Sequence, residues 1–190
     1  MISLLKKIIK IFLIIIFLFG LLAGSIELYK ATQGNFHSVT EGEFYRSAKL
    51  DRGNYEYYIK EKGIKTIINL QGKKKNNKDY NDALAVSKEQ NVTHIDYGMS
   101  AYAFYDINRT KEIVEIMKNA QKPILVHCHG GADRSALVSA LWLYAVKNKD
   151  VDESRRQFKL LYGYFPYLMW DKKKNMRRSF ESYYNMVEKE

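Results

Sequence analysis

Ile124, Leu125 and Val126 form an apolar run that opens directly onto the loop His127-Cys128-His129-Gly130-Gly131-Ala132-Asp133-Arg134-Ser135. The apolar stretch Ala136 to Val146 follows at once. The run reads as a buried strand and the stretch after the loop as a helix. A short strand-to-helix loop makes several backbone N–H groups converge, and the helix dipole adds positive potential at the same point. Such a nest binds a tetrahedral dianion and favours a thiolate over a thiol. The only cysteine of the chain, Cys128, lies inside it, six residues before Arg134. A guanidinium offers a planar fork matched to two phosphate oxygens, which a lysine would not reproduce. Residue types at this spacing point to sulfur attacking phosphorus.

Other readings of these residues are weaker. A lone cysteine is ordinarily a small buried hydrophobe, but the glycines and the arginine beside this one fit the anion loop better. His127, Cys128 and His129 are adjacent, and adjacent ligands rarely meet one zinc ion tetrahedrally; no second Cys/His cluster completes the set. A sulfurtransferase loop is shorter, and an arsenate reductase needs further cysteines for its redox relay.

The pattern Cys-(five residues)-Arg-Ser resembles the signature loop of the protein tyrosine phosphatase superfamily. Phe44-Tyr45-Arg46-Ser47-Ala48 and Gly63-Ile64-Lys65-Thr66-Ile67-Ile68-Asn69-Leu70 look like the opening of small bacterial dual-specificity-like phosphatases. The resemblance covers roughly residues 36 to 145. It implies that Cys128 is the nucleophile of a phosphocysteine mechanism. Backbone N–H groups of His129, Gly130, Gly131, Ala132, Asp133 and Arg134, with the Arg134 guanidinium, would bind the phosphoryl oxygens. Ser135 would hydrogen-bond the sulfur, and His127 would fix the loop. Asp133 is expected to point outward, and no metal or other cofactor is needed. In the family the general acid is usually an aspartate on the loop before the helix that precedes the signature strand. Here that loop is Gly98 to Asp106, so Asp106 is the candidate and Asp96 the second. Arg46 and Asn69 fall where the resemblance places residues near the pocket floor, with hydrogen-bonding structural roles the alternative. Substrates of this class include phosphotyrosine, phosphoserine and phosphothreonine in proteins; a phospholipid or inositol phosphate is the rival, and a phosphate-binding pseudophosphatase a further alternative.

Apolar segments alternate with amphipathic ones along the rest of the chain. Strands are expected at Phe44 to Ala48, Thr66 to Leu70, Val92 to Tyr97 and Ile124 to His127. Helices are expected at Asn54 to Lys62, stopped by Gly63, at Tyr80 to Glu89, and from an Asn108 cap to about Asn119. Asp152 to Glu190 reads as two more helices around Gly163-Tyr164-Phe165-Pro166, with Tyr162, Phe165, Tyr167, Trp170, Phe180, Tyr183 and Tyr184 packing them. Thr32 to Ser38 reads as a polar connection. The alternation predicts an α/β fold, a central and largely parallel sheet flanked by helices. The signature loop then lies at the carboxyl end of its strand.

Residues 1 to 30 differ in kind from residues 31 to 190, the expected catalytic domain. Ile8 to Ala23 is apolar apart from Lys10 and Gly20, and Lys6 and Lys7 precede it. The uninterrupted part, Ile11 to Ile26, is slightly short of the ~20 residues that span a bilayer squarely. The flanking lysines predict a cytoplasmic N-terminus and an extracytoplasmic domain, periplasmic or extracellular. An uncleaved single-pass anchor is the preferred reading, although Ala23-Gly24-Ser25 offers small residues for a signal peptidase. The formal charge is +10; residues 1 to 30 hold four lysines and one glutamate, which leaves 27 basic against 20 acidic residues, +7, in the remainder. This excess suits an acidic substrate or an anionic membrane surface. Lys73-Lys74-Lys75, Lys172-Lys173-Lys174 and Arg177-Arg178 read as solvated faces, with Lys73 and its neighbours also placed to steer an anion. Without a stacking motif or nucleic-acid module, no nucleic-acid partner is expected. The sequence leaves the oligomeric state open.

Overall fold

The central strands are short apolar runs whose side chains alternate between two faces, so each strand must be covered on both sides. The structure, a computed structural model, describes residues 2–165 and 174–189. It contains two compact units, Met1–Gln33 and Gly34–Glu190. The first is one helix, α1 (Ile2–Gln33). Its segment Lys6–Ser25, 20 residues with mean hydropathy 2.6, is long and apolar enough to cross a membrane.

The second unit holds β1 (His37–Thr40), β2 (Phe44–Ser47), α2 (Arg52–Lys62), β3 (Thr66–Asn69), α3 (Lys78–Glu89), β4 (Thr93–Asp96), α4 (Ile107–Asn119) and β5 (Ile124–His127). Helix α5 (Asp133–Leu141) continues into a π-helical turn at Trp142–Val146, followed by α6 (Val151–Arg155), a 3-10 turn at Leu160–Tyr162, and α7 (Asn175–Val187). The sheet order is β1-β2-β5-β3-β4. Strands β2, β5, β3 and β4 run parallel, and β1 is an antiparallel edge on β2. The sheet is thus largely parallel with helices on both faces.

Side-chain alternation assigns the two layers. Phe44, Ile68, Ile124 and Val126 meet Val114, Leu137, Leu141 and Phe180 on the face covered by α4, α5 and α7. Tyr45, Ile67 and Leu125 meet Tyr55, Ile59, Ala83 and Val86 on the face covered by α2 and α3. Each such side chain contributes about 1.5–3 kcal/mol when fully buried. This packing fixes the carboxyl end of β5, where the cysteine loop begins, in the middle of the sheet.

Several boundaries differ from expectation. His37 and Ser38, read as the end of a polar connection, open the edge strand β1 (His37–Thr40). Its side chains are half-buried or exposed, so it carries no apolar alternation to read. Helix α4 is capped by Asp106, not Asn108: Asp106 Oδ1 accepts the Arg109 N–H at 3.0 Å. The helix starts earlier because Ile107 packs against the core. Asp51 caps α2, which begins at Arg52, two residues ahead of the expected start, while Gly63 ends it with φ +62°. The helix expected to reach Val146 changes to a π-helical turn at Trp142. Among the described residues of the tail, expected to hold two helices, the elements are α6, the 3-10 turn and α7. Pro166, Tyr167, Trp170, Lys172 and Lys173 lie outside the described residues.

Candidate active site

The loop between β5 and α5 is held by its carbonyls. His127 O accepts from Leu70 N (2.9 Å), and His129 O from Lys49 N (3.3 Å). Gly130 O accepts from Asn35 Nδ2 (2.9 Å). Gly131 O and Ala132 O both accept from Arg46 Nη2, at 2.8 and 3.1 Å. In a planar trans peptide the N–H points opposite the preceding carbonyl. Four successive carbonyls turned out toward these donors therefore turn the N–H groups of Gly130, Gly131, Ala132 and Asp133 inward. The inward amides lie at the N-terminus of α5, an arrangement that favours negative charge.

Gly131 has φ +66°, and a Cβ there would come within 2.5 Å of Ala48 N and 2.7 Å of Ser47 C. These atoms belong to the Ser47–Ala48 peptide, rigid backbone that leaves little room to yield. Gly131→Ala is expected to lower stability by about 2–4 kcal/mol through strain and overpacking and to abolish anion binding. Urea denaturation and phosphate-analogue titration read the two effects.

Cys128 is 2% exposed. Its N–H reaches Ser47 O at 3.4 Å, and its sulfur accepts from Ser135 Oγ at 3.3 Å. The Ser135 hydroxyl also has Ser47 O at 3.4 Å, so a single proton serves two acceptors. Arg134 is anchored by Nη1 to Leu70 O (3.3 Å) and Met99 O (3.1 Å). Among the described residues its buried Nε has no partner, leaving one edge of the fork available to an anion. His129 and Gly130 are exposed, and Asp133 is half-buried, close enough to Arg46 to favour its charged form.

Arg46 is fully buried and acts as a brace. Besides Gly131 O and Ala132 O, it donates through Nη1 to Gln157 O and Oε1, both at 3.0 Å. The Tyr162 ring covers the guanidinium at 4.6 Å. Burial lowers its pKa to about 10, so the group stays charged at neutrality. Neither Asn35 nor Gln157 stood out in the sequence; the Gly34–Asn35 pair, with φ +63° and +48°, is the only local signal.

His127 is buried against Tyr55, whose hydroxyl lies 3.1 Å from Nε2. Among the described residues the buried His127 Nδ1 has no partner, so the Tyr55 hydroxyl is the one side chain bonded to the ring. Burial, with His94 and Arg134 nearby, pushes the His127 pKa down to about 3. Between that value and the ordinary 6.5 the unfolded chain binds the extra proton, so stability falls as pH falls through this window. In His127→Gln that part of the pH slope should vanish, as urea midpoints at pH 7 and pH 4.5 would reveal.

Asn69 donates to Gly72 O (3.0 Å) and Asp96 Oδ1 (2.8 Å) and accepts from Gln71 N (2.9 Å), a structural set of bonds. Asp96 Oδ2 accepts from Tyr80 at 2.6 Å, which commits this carboxylate to the β3–β4 end. A cavity of about 160 Å³ beside the loop is lined by Lys49, Lys74, Asn77, Tyr80, His127 and His129. Asp106 is exposed and caps α4. The loop before it is braced from α7: Ser179 Oγ accepts the Tyr105 N–H (2.8 Å) and Asn175 Nδ2 donates to Tyr102 O (2.8 Å).

Comparison with known proteins agrees with this geometry. P. aeruginosa TpbA superposes with a TM-score of 0.62 at 17% identity, covering 80% of this chain and 91% of TpbA. The core catalytic domain of the PP-IP phosphatase SIW14 from S. cerevisiae gives 0.60 at 19%, covering 82% and 91%. PTPMT1 gives 0.56 at 12%, covering 82% and 99%. At these identities the likeness is one of fold. No curated protein sequence matches the chain. The family model for the dual specificity phosphatase catalytic domain matches residues 52–180, over half of the chain. With its cysteine loop on this mostly parallel sheet, the chain belongs to the dual specificity phosphatase family.

Proposed function

We propose that the unit Gly34–Glu190 hydrolyses phosphomonoesters through a phosphocysteine on Cys128, and that α1 anchors it to a membrane with the domain outside the cytoplasm. The observation that carries the chemistry is the ring of inward amides around a sulfur that already holds the Ser135 hydroxyl at 3.3 Å. In the first step Sγ bonds to phosphorus while the ester O–P bond breaks, and the leaving oxygen takes a proton. The amides and the Arg134 edge neutralise the equatorial oxygens, by electrostatics that need no reorganisation. In the second step water bonds to phosphorus, the S–P bond breaks, and Ser135 donates to the departing sulfur. Inorganic phosphate leaves. A phosphate-binding pseudophosphatase would have no use for this sulfur, which supports the enzyme reading. TpbA, which shares the fold, has been solved in complex with pTyr, and SIW14 is named a PP-IP phosphatase. A phosphomonoester is the group proposed here.

Asp106 is proposed as the general acid. It keeps the α4 cap through Oδ1, and Oδ2 would carry the proton. Asparagine caps a helix as well as aspartate does, so Asp106→Asn isolates acid catalysis from stability. The full chain is expected to hydrolyse both aryl and alkyl phosphates. In Asp106→Asn the alkyl rate should fall about 10²–10³-fold and the aryl rate far less, because aryl leaving groups need little protonation. An unchanged alkyl rate leaves Asp106 a cap only; wild-type chain inert toward both esters removes the phosphatase reading.

A further inference from the structure

The chain enters the catalytic unit at the catalytic loop itself. Helix α1 ends at Gln33, and two residues later the Asn35 side chain donates to Gly130 O at 2.9 Å and to Tyr162 O at 3.1 Å. The apolar segment ends at Ser25. From there eight further helical residues rise about 12 Å, and two more add at most about 7 Å. Whatever angle helix and domain adopt, the Asn35 backbone stays within about 20 Å of the hydrocarbon edge, and the Gly130 carbonyl lies only one side chain and a 2.9 Å hydrogen bond beyond it. The headgroup layer alone occupies roughly 5–8 Å of that distance. A domain of this length has a radius of gyration near 15 Å, so a loop placed elsewhere on it could lie tens of ångströms farther out.

A second observation falls at the same point. The 3-10 turn that shares the Asn35 amide carries Leu160 and Leu161, 60% and 59% exposed, after the basic Lys159. Two neighbouring leucines left in water beside a membrane tether match an interfacial contact, where apolar side chains sink between headgroups. The +7 excess outside residues 1 to 30 favours an anionic bilayer surface.

We propose that the substrate is a lipid phosphomonoester in the headgroup layer of the membrane that α1 spans, met by the tethered loop while Leu160 and Leu161 seat in the same interface. This rests on the phosphatase reading and on α1 remaining in the chain. The phosphoryl group passes from the lipid ester oxygen to sulfur and then to water, and the lipid leaves as an alcohol.

The test uses the full chain reconstituted in phosphatidylcholine vesicles doped with phosphatidic acid or a monophosphorylated phosphatidylinositol. Two variants are compared: Leu160→Ser with Leu161→Ser, and a helical spacer of about thirty residues, ~45 Å, inserted between Gln33 and Gly34. Release of phosphate from at least one lipid is expected to fall about tenfold or more in both variants, with soluble aryl phosphate turnover held within about twofold. Equal lipid turnover in the spacer variant would overturn the proposal. So would preference for a phosphopeptide, free or lipid-anchored, over both lipids. Failure of the premises is separately visible: no aryl phosphate turnover removes the phosphatase, and alkaline extraction of the chain from its host membranes removes the anchor.

Discussion

Cys128→Ser is expected to lower aryl phosphate turnover about 10⁴-fold or more while leaving the melting temperature close to that of the native chain. A serine hydroxyl is nearly isosteric and keeps a hydrogen bond to Ser135, so the 2%-exposed position loses little packing. What is lost is the nucleophile. A serine hydroxyl is a far weaker nucleophile at neutral pH than a thiolate, and inward amides cannot replace it. The amide nest and the Arg134 edge remain, so the variant should still bind phosphate esters. Steady-state kinetics, a thermal melt and ligand titration separate these three expectations. A variant within about tenfold of native turnover would show that sulfur takes no part in bond making.

Arg46→Met is expected to cost about 3–5 kcal/mol of stability, the range for removing one partner of a buried charged network. Methionine fills the space but takes the Arg46 donors from Gly131 O and Gln157 O, each about 1–3 kcal/mol when buried, and leaves Ala132 O only the Ala136 N–H at 3.2 Å. Since Arg46 helps hold Gly131 O and Ala132 O outward, losing the brace also loosens the loop amides that follow them. Turnover should therefore fall well beyond what the unfolded fraction explains. Arg46→Lys should rescue little, because one ammonium cannot reach acceptors on both the loop and Gln157. Urea denaturation with kinetics on the folded fraction reads both effects. A loss under about 1 kcal/mol would mean that the loop keeps its shape without this residue.

The strands that place the loop were legible because burial on two faces leaves unbroken apolar runs, as in Ile67-Ile68 and Ile124-Leu125-Val126. Cys128, Arg134 and Ser135 were legible because their spacing is local to one loop. What holds that loop was not. Asn35 and Gly130 are 95 residues apart, and Arg46 and Gln157 are 111 apart, so no periodicity or motif connects them. Strand β1 was missed because its pairing with β2, not apolar alternation, specifies it. Asp106 and Asn108 are both good caps, and only the packing of Ile107 decides between them.

The most direct test is rapid acid quenching of the full chain during turnover of an aryl phosphate, followed by peptide mass spectrometry. The expected result is one phosphoryl group on the peptide that contains Cys128, forming within the first turnover and absent from Cys128→Ser. Undiminished phosphate release with that peptide unmodified throughout, or with the phosphoryl group on another side chain, would contradict sulfur as the nucleophile.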